Sequence, residues 1–284
     1  MKKARIFLFA LTVFCLSAFG ASAQTSSNIV KGNLNQAEID RIIASFTKNE
    51  GNFRQALNYY AFNRNATIQT VGMGGQITGS YRRDSFLTFK DDGTRVEKIL
   101  FSPVSTLQEV TISAEDIDNL GGINPFAIEP SAVSNYNFAY IGKEKIDELN
   151  LHVFEVTPKT LPNPRKSDQK YFSGRIWVDD TDLMIVKSKG KAVPEGKNRS
   201  GQEQRFPVME TWRESVDGKY WFPSFSSDDD ELVFDSGHSV KMKIRVKYTN
   251  YRVGTSEVKI LDENGMEIKD EPAKPAPSAT PKKP

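Results

Sequence analysis

The stretch that most constrains this chain is Ser239–Tyr251, where residue character alternates with period two for eleven positions, Ser239 to Thr249. Val240, Met242, Ile244, Val246 and Tyr248 share one parity; Lys241, Lys243, Arg245, Lys247 and Thr249 share the other. Only a strand places alternate side chains on opposite faces, so this segment has one buried and one solvated, basic face. A strand this long cannot stand alone, and the rest of the chain has to supply a sheet beside it.

Tyr171–Lys191 supplies a hairpin: an extended run to Val178, a polar turn at Asp179–Asp182 and a return run from Leu183. Ile176, Val178, Ile185 and Val186 are β-branched, and Trp177 lies on the parity opposite Ile176 and Val178. Apolar residues on both faces place this hairpin in the sheet interior, with strands on either side. Further hairpins are expected for 76–90 with 94–102 around Asp92-Gly93, for Phe138–Lys145 with Leu149–Pro158, and for Arg205–Val216 with Lys219–Ser226 around Asp217-Gly218. Tyr59–Val71 reads as a long strand whose apolar parity (Tyr60, Phe62, Ala66, Ile68) is broken by Arg64. A short hairpin at Asn264-Gly265 is a further possibility of the pattern, and the polar stretch Pro194–Gln204 reads as a mobile loop.

Helical signals come early. Asn35 with Glu38 forms a capping box and Leu34 with Ile39 a hydrophobic staple; Ile39, Ile42, Ile43 and Phe46 then repeat at helical spacing to about Lys48, before Gly51. A second short helical piece is expected at Phe53–Leu57. Ser113–Asp116 opens another helix that Gly121-Gly122 ends, and the apolar, irregular Ile123–Tyr136 reads with it as a lid. No strand–helix alternation appears, so a parallel α/β sheet is excluded. The fold class is α+β, mainly β: one large curved antiparallel sheet of about nine to eleven strands with helices on one side.

The first 23 residues stand apart. Lys2, Lys3 and Arg5 precede the apolar Ile6–Phe19, and Ala21-Ser22-Ala23 is a small-residue cleavage site: a secretory signal peptide cut after Ala23. Cys15 lies within the apolar run and lacks a lipoprotein-signal context, so the exported chain is cysteine-free, which fits the periplasm. The formal charge of +2 falls to about −1 when the three leader cations are lost, which argues against nucleic acid as partner. No later stretch is apolar enough to span a membrane. The domain plan is a signal peptide (1–23), a short lead (24–34), one sheet domain (35–262), and a Pro/Lys-rich remnant and tail (263–284).

Catalytic signatures are missing. His152 and His238 have no metal-ligand spacing, no G-x-S-x-G elbow is present, and Gly72–Gly75 lacks the spacing and following helix of a phosphate loop. The acidic groups Asp179, Asp180, Asp182 and Asp228–Glu231 match no twelve-residue calcium loop, and acidic residues are ordinary in turns. No catalytic residue, cofactor or metal is therefore assigned, and the chain is read as a non-enzyme. One curved sheet with modest helices leaves apolar surface that needs a ligand or a cover.

The signal peptide, the helix at Asn35–Lys48, the long strands from Tyr59, the lid near Ser113–Tyr136 and the hairpin run containing YFSGRIWVDDTDLMIVKSKGK together resemble the LolA-like lipoprotein-sorting family and its wider superfamily, which includes LolB and the N-terminal domain of RseB. The resemblance covers about Asn35–Arg252 and rests on element order. It implies an unclosed half-barrel with a helical lid over a cavity for acyl chains, in a monomeric periplasmic carrier of a lipoprotein or another acyl-bearing ligand. The alternative it implies is an RseB-like sensor that binds another envelope protein. On either reading, the expected cavity wall is Val240, Met242, Ile244, Val246 and Tyr248, with Ile123 and Phe126 of the lid.

Overall fold

The computed structural model describes residues 28–89, 94–112, 116 and 128–254. The expected signal peptide, the Asp92-Gly93 turn, most of the expected second helix, and the tail lie outside the described residues. The elements are α1 (Gln36–Leu57), β1 (Tyr60–Val71), β2 (Ile77–Phe89), β3 (Arg95–Phe101), a 3-10 helix (Pro130–Asn135), β4 (Tyr136–Ile146), β5 (Leu149–Pro158), β6 (Tyr171–Asp179), β7 (Ile185–Val193), β8 (Gly196–Lys197), β9 (Glu203–Gln204), β10 (Met209–Val216), β11 (Tyr220–Asp228), β12 (Glu231–Val233) and β13 (Ser239–Val253). Eleven strands form one sheet in the order β3-β2-β1-β13-β11-β10-β7-β6-β5-β4, with β12 also on β13. All its pairings are antiparallel, and the sheet is open, with β3 and β4 at its two ends.

The β6–β7 hairpin lies inside the sheet, flanked by β5 and β10, as its two apolar faces require. Those faces have different covers. On the inner face, Ile176, Val178 and Ile185 pack with Ile42 and Phe46 of α1. On the outer face, Trp177 packs with Leu151, Val153 and Val186, and Ile29 of the N-terminal lead pads them. Trp177 pairs with Lys187 and Val178 with Ile185, so Val186 is the extra residue of a bulge and joins Trp177 on the outside. Lys187 Nζ then lies 4.8 Å from the Trp177 ring centre and 4.2 Å from that of Trp212, with Glu210 at 3.1 Å. A cation held between two indoles covers the outer apolar patch without a second layer of protein.

The first helix differs from expectation: it is continuous for 22 residues and passes through Gly51. The capping box is present, with Glu38 N–H donating to Asn35 Oδ1 (3.0 Å) and Asn35 N–H to Glu38 Oε2 (2.9 Å). The cost of a mid-helix glycine, about 1 kcal/mol, is small beside the burial on either side of it. Phe46 precedes Gly51, Phe53 and Leu57 follow it, and each large apolar side chain contributes about 1.5–3 kcal/mol. Gly51 also brings the helix close to Pro130, whose Cδ would lie 3.7 Å from an added Cβ. The helix thus spans both halves of the inner face, its N-terminal half over β5, β6 and β7 and its C-terminal half over β1 and β11.

A second correction concerns Pro194–Gln204. Part of it is a small ordered hairpin, with β8 paired to β9 and Asn198 N–H donating to the Gln202 carbonyl (2.8 Å). The expected strand from Arg205 begins only at Met209, because Pro207 lacks the N–H a ladder needs.

Between helix and sheet lies an ion pair. Arg213 of β10 donates to both oxygens of Glu50, at 2.6 and 3.0 Å, and its guanidinium stands 4.5 Å from the Phe53 ring centre. Both side chains are almost fully buried. Removing one partner strands the other charge, so Arg213→Met is expected to cost about 3–5 kcal/mol. Glu50→Met/Arg213→Met together should recover most of that loss. Urea unfolding of the two variants checks this; a double variant as unstable as the single one contradicts it.

Candidate functional site

Val240, Met242, Ile244, Val246 and Tyr248 all point to the inner face and are at most 5% exposed. Across the ladder they meet Thr70, Ile68, Ala66 and Arg64 of β1, with Met242 opposite Thr70 and Tyr248 opposite Arg64. Phe62, Phe222 and Leu232 complete the cluster. Part of the cover is α1, through Phe53, Ala56 and Leu57. The rest comes from the irregular chain after β3, whose Leu107, Val110 and Ile112 pack on the same cluster. Ile123 and Phe126 lie outside the described residues.

This covering chain is lightly attached. Thr106 N–H donates to the Ser80 carbonyl (2.9 Å), and Ser80 N–H donates to Thr106 Oγ1 (2.9 Å). It can lie this close to β2 because residue 79 is glycine. A Cβ there would stand 2.8 Å from the Thr106 carbonyl oxygen and 2.9 Å from the Leu107 Cα. Nothing in the local sequence around Ser102–Ile112 marks it as a cover, since its apolar residues follow neither period.

Polar groups also face inward. Arg64, on the apolar parity of β1, meets Glu97 of β3 at 2.9 Å, and Arg83 of β2 meets the same carboxylate at 2.6 Å. The break in parity at Arg64 was the available sequence signal for this cluster. Thr211 and Ser226 hydroxyls bond at 2.9 Å. Asp228 follows Ser226 on the same parity of β11 and is buried, and its Oδ2 has no hydrogen-bond partner among the described residues. Burial, followed by the charges of Asp230 and Asp229, pushes its carboxyl up to about 6.

Acid–base chemistry between His152 and Asp228 is not supported by the layout. His152 is on β5 and Asp228 on β11, with β6, β7 and β10 between them, a separation of about 19 Å at roughly 4.8 Å per strand. Burial, with the Lys143 charge, lowers the His152 pKa, and the Tyr140 hydroxyl lies 3.4 Å from its Nδ1. Among the described residues no group of three or more His, Cys, Asp or Glu side chains could hold a metal ion. No helix among them is long and apolar enough to cross a membrane.

A second surface is open. Between α1 and the 3-10 helix with β4 lies a groove of about 580 Å³. Ile43, Val133, Tyr136 and Phe138 supply its apolar part; Asp40 and Lys159 are among its polar groups.

Solved structures similar in fold include a DUF1329 family protein from Desulfovibrio piger, with 13% identity over 76% of this chain and 95% of that one, TM-score 0.34. A LolA superfamily protein from Nitrosomonas europaea has 14% identity over 72% and 90%, TM-score 0.31. MucB has 12% identity over 76% and 94%, TM-score 0.28. The likeness is one of fold alone. No family model matches the chain, and no curated protein matches it.

The buried carboxyl of Asp228 yields a pH prediction. Its folded pKa, about 6, lies above the unfolded value of about 3.9, so the folded state holds this proton more tightly. Its contribution is favourable below about 4 and is lost as pH rises toward about 6. Urea unfolding across that range should show Asp228→Asn gaining stability over the parent as pH rises. Parallel stability curves would count against the assignment.

Proposed function

We propose that this chain is an exported, non-enzymatic binding protein for an acyl-chain ligand, carried or sensed in the periplasm. The observation that supports it best is the row Val240–Tyr248, an apolar wall covered partly by an irregular segment with three apolar side chains. Leu107, Val110 and Ile112 fill the place that an acyl chain would take, and the wall extends for about 26 Å at roughly 3.3 Å per residue. About ten buried methylenes contribute about 8 kcal/mol, the scale of micromolar affinity. Exposing the cover's side chains subtracts from that gain, so the cover has to reseat on the bound ligand. The resemblance of the sequence to the LolA-like family points the same way, and Ile123 and Phe126 are proposed as further contacts.

Three measurements test this. Protein purified without detergent should carry lipid in native mass spectrometry or bind a fluorescent fatty acid at micromolar concentration. Ala66→Phe, which fills the wall opposite Val246, should weaken binding at least about tenfold, the effect of about 1.4 kcal/mol. Gly79→Ala, which lifts the cover, should speed association. Lipid-free protein that binds no fatty acid overturns the proposal.

The open groove beside α1 favours a second reading, an envelope protein as partner, because its mixed lining suits a peptide better than a bare acyl chain. On this reading Ile43→Glu abolishes co-purification of a protein partner from periplasmic extract and leaves fatty-acid affinity within about twofold, since the site is distant and independent. Retained partner with lost fatty-acid binding would reverse the two assignments.

A further inference from the structure

The inner-face polar cluster lies beside the Tyr248 end of the β13 row. Arg64 stands opposite Tyr248 on one side and Ser85 on the other, so it flanks the Tyr248 end of the row, with Phe62 and Leu87 one rung beyond it. Four donors converge there on one carboxylate. Glu97 Oε1 accepts from Arg64 Nη2 (2.9 Å), Arg83 Nε (3.0 Å) and Ser85 Oγ (2.5 Å); Oε2 accepts from Arg83 Nη2 (2.6 Å). The Tyr81 hydroxyl, on the same parity of β2, is buried and interacts with Arg83. Burial works against the Glu97 charge, but Arg83, Ser85 and Arg64 outweigh it and hold the carboxyl below its usual range. Two guanidinium groups face one carboxylate in a mostly apolar setting.

Pinning β3 needs less than this. One exposed ion pair aligns an edge strand, whereas here Arg64 is 4% exposed and Arg83 donates two N–H groups to the same carboxylate. Glu97 belongs to the last strand on this side of the sheet, with β2 as its neighbour. No strand pairs with β3 on its far side among the described residues, so a movement of Glu97 breaks no second ladder.

We infer that Arg64, Arg83 and Ser85 form the headgroup site for an anionic amphiphile, with Glu97 as the internal counter-ion that the ligand's carboxylate or phosphate replaces. The inference rests on the acyl reading of the wall: the apolar row takes the chain, and the arginines take the head. It narrows the ligand class from any acyl chain to one with a negative charge at the chain's end. Replacing Glu97 by a ligand anion conserves the number of charges at the arginines, so the exchange avoids leaving a buried guanidinium unpaired.

The test compares palmitate, hexadecyl phosphate and hexadecanol as competitors for a bound fluorescent fatty acid. At least one anion should bind about tenfold more tightly than the alcohol, the low end of what charge-assisted hydrogen bonds contribute; which anion binds better identifies the source of the charge. Arg83→Met should bring that anion to the level of the alcohol. Glu97→Gln, which keeps the side chain's shape, should tighten anion binding and leave the alcohol unchanged. Equal binding of all three competitors, with no response to Glu97→Gln, overturns the headgroup site and leaves the acyl reading intact. Failure of all three to compete overturns both.

Discussion

Everything on the inner face depends on α1 lying across it, and the centre of that contact is the Glu50–Arg213 pair. Among the described residues the other sheet is the two-stranded β8–β9 ribbon, too small to cover this one. One 22-residue helix therefore bridges both halves, with Ile42 and Phe46 on one side of the pair and Phe53 and Leu57 on the other. Burying two charges has a desolvation cost that their attraction only partly offsets. A pair like this adds position more than stability: the helix satisfies the charges in one register, and a slide along its axis would leave both unpaired.

The two faces of the sheet solve the same problem differently. Outside, the apolar patch at Trp177 is closed by the Lys187 ammonium lying over two indoles, and by Ile29 of the N-terminal lead. That lead also protects the β4 edge, since Val30 and Lys143 exchange two backbone hydrogen bonds at 2.8 Å. Inside, the wing formed by β13, β1, β2 and β3 is covered in part by the C-terminal half of α1 and in part by an irregular strap seated on Gly79, a low-stability contact by the measure of its few hydrogen bonds among the described residues. The same wing carries the buried arginines. Apolar wall, light cover and confined charge coincide on one side of the molecule, which is why a ligand reading attaches there and not to the β6–β7 hairpin.

Much of this was legible in the chain. The period of two at Ser239–Tyr251 gave the buried row and the basic outer row, because alternation leaves no other arrangement. The capping box gave the start of α1, and the two apolar parities of the hairpin gave its interior place. The end of α1 was not legible: Gly51 is locally unfavourable, and only contacts with β11 and the 3-10 helix show why the helix continues. Nor could Pro194–Gln204 be read as a hairpin, since two-residue strands carry too little pattern to register.

The sequence by itself determined which residues face inward, since strand and helix periods are local properties of the chain. Tertiary structure decided what those inward faces meet. The ladder that sets β1 beside β13 and carries β3 to the far edge joins residues up to about two hundred positions apart, and no local period encodes that pairing. Only through it do Arg64, Arg83 and Glu97 converge beside the Tyr248 end of the row, and only through it does Glu50 find Arg213.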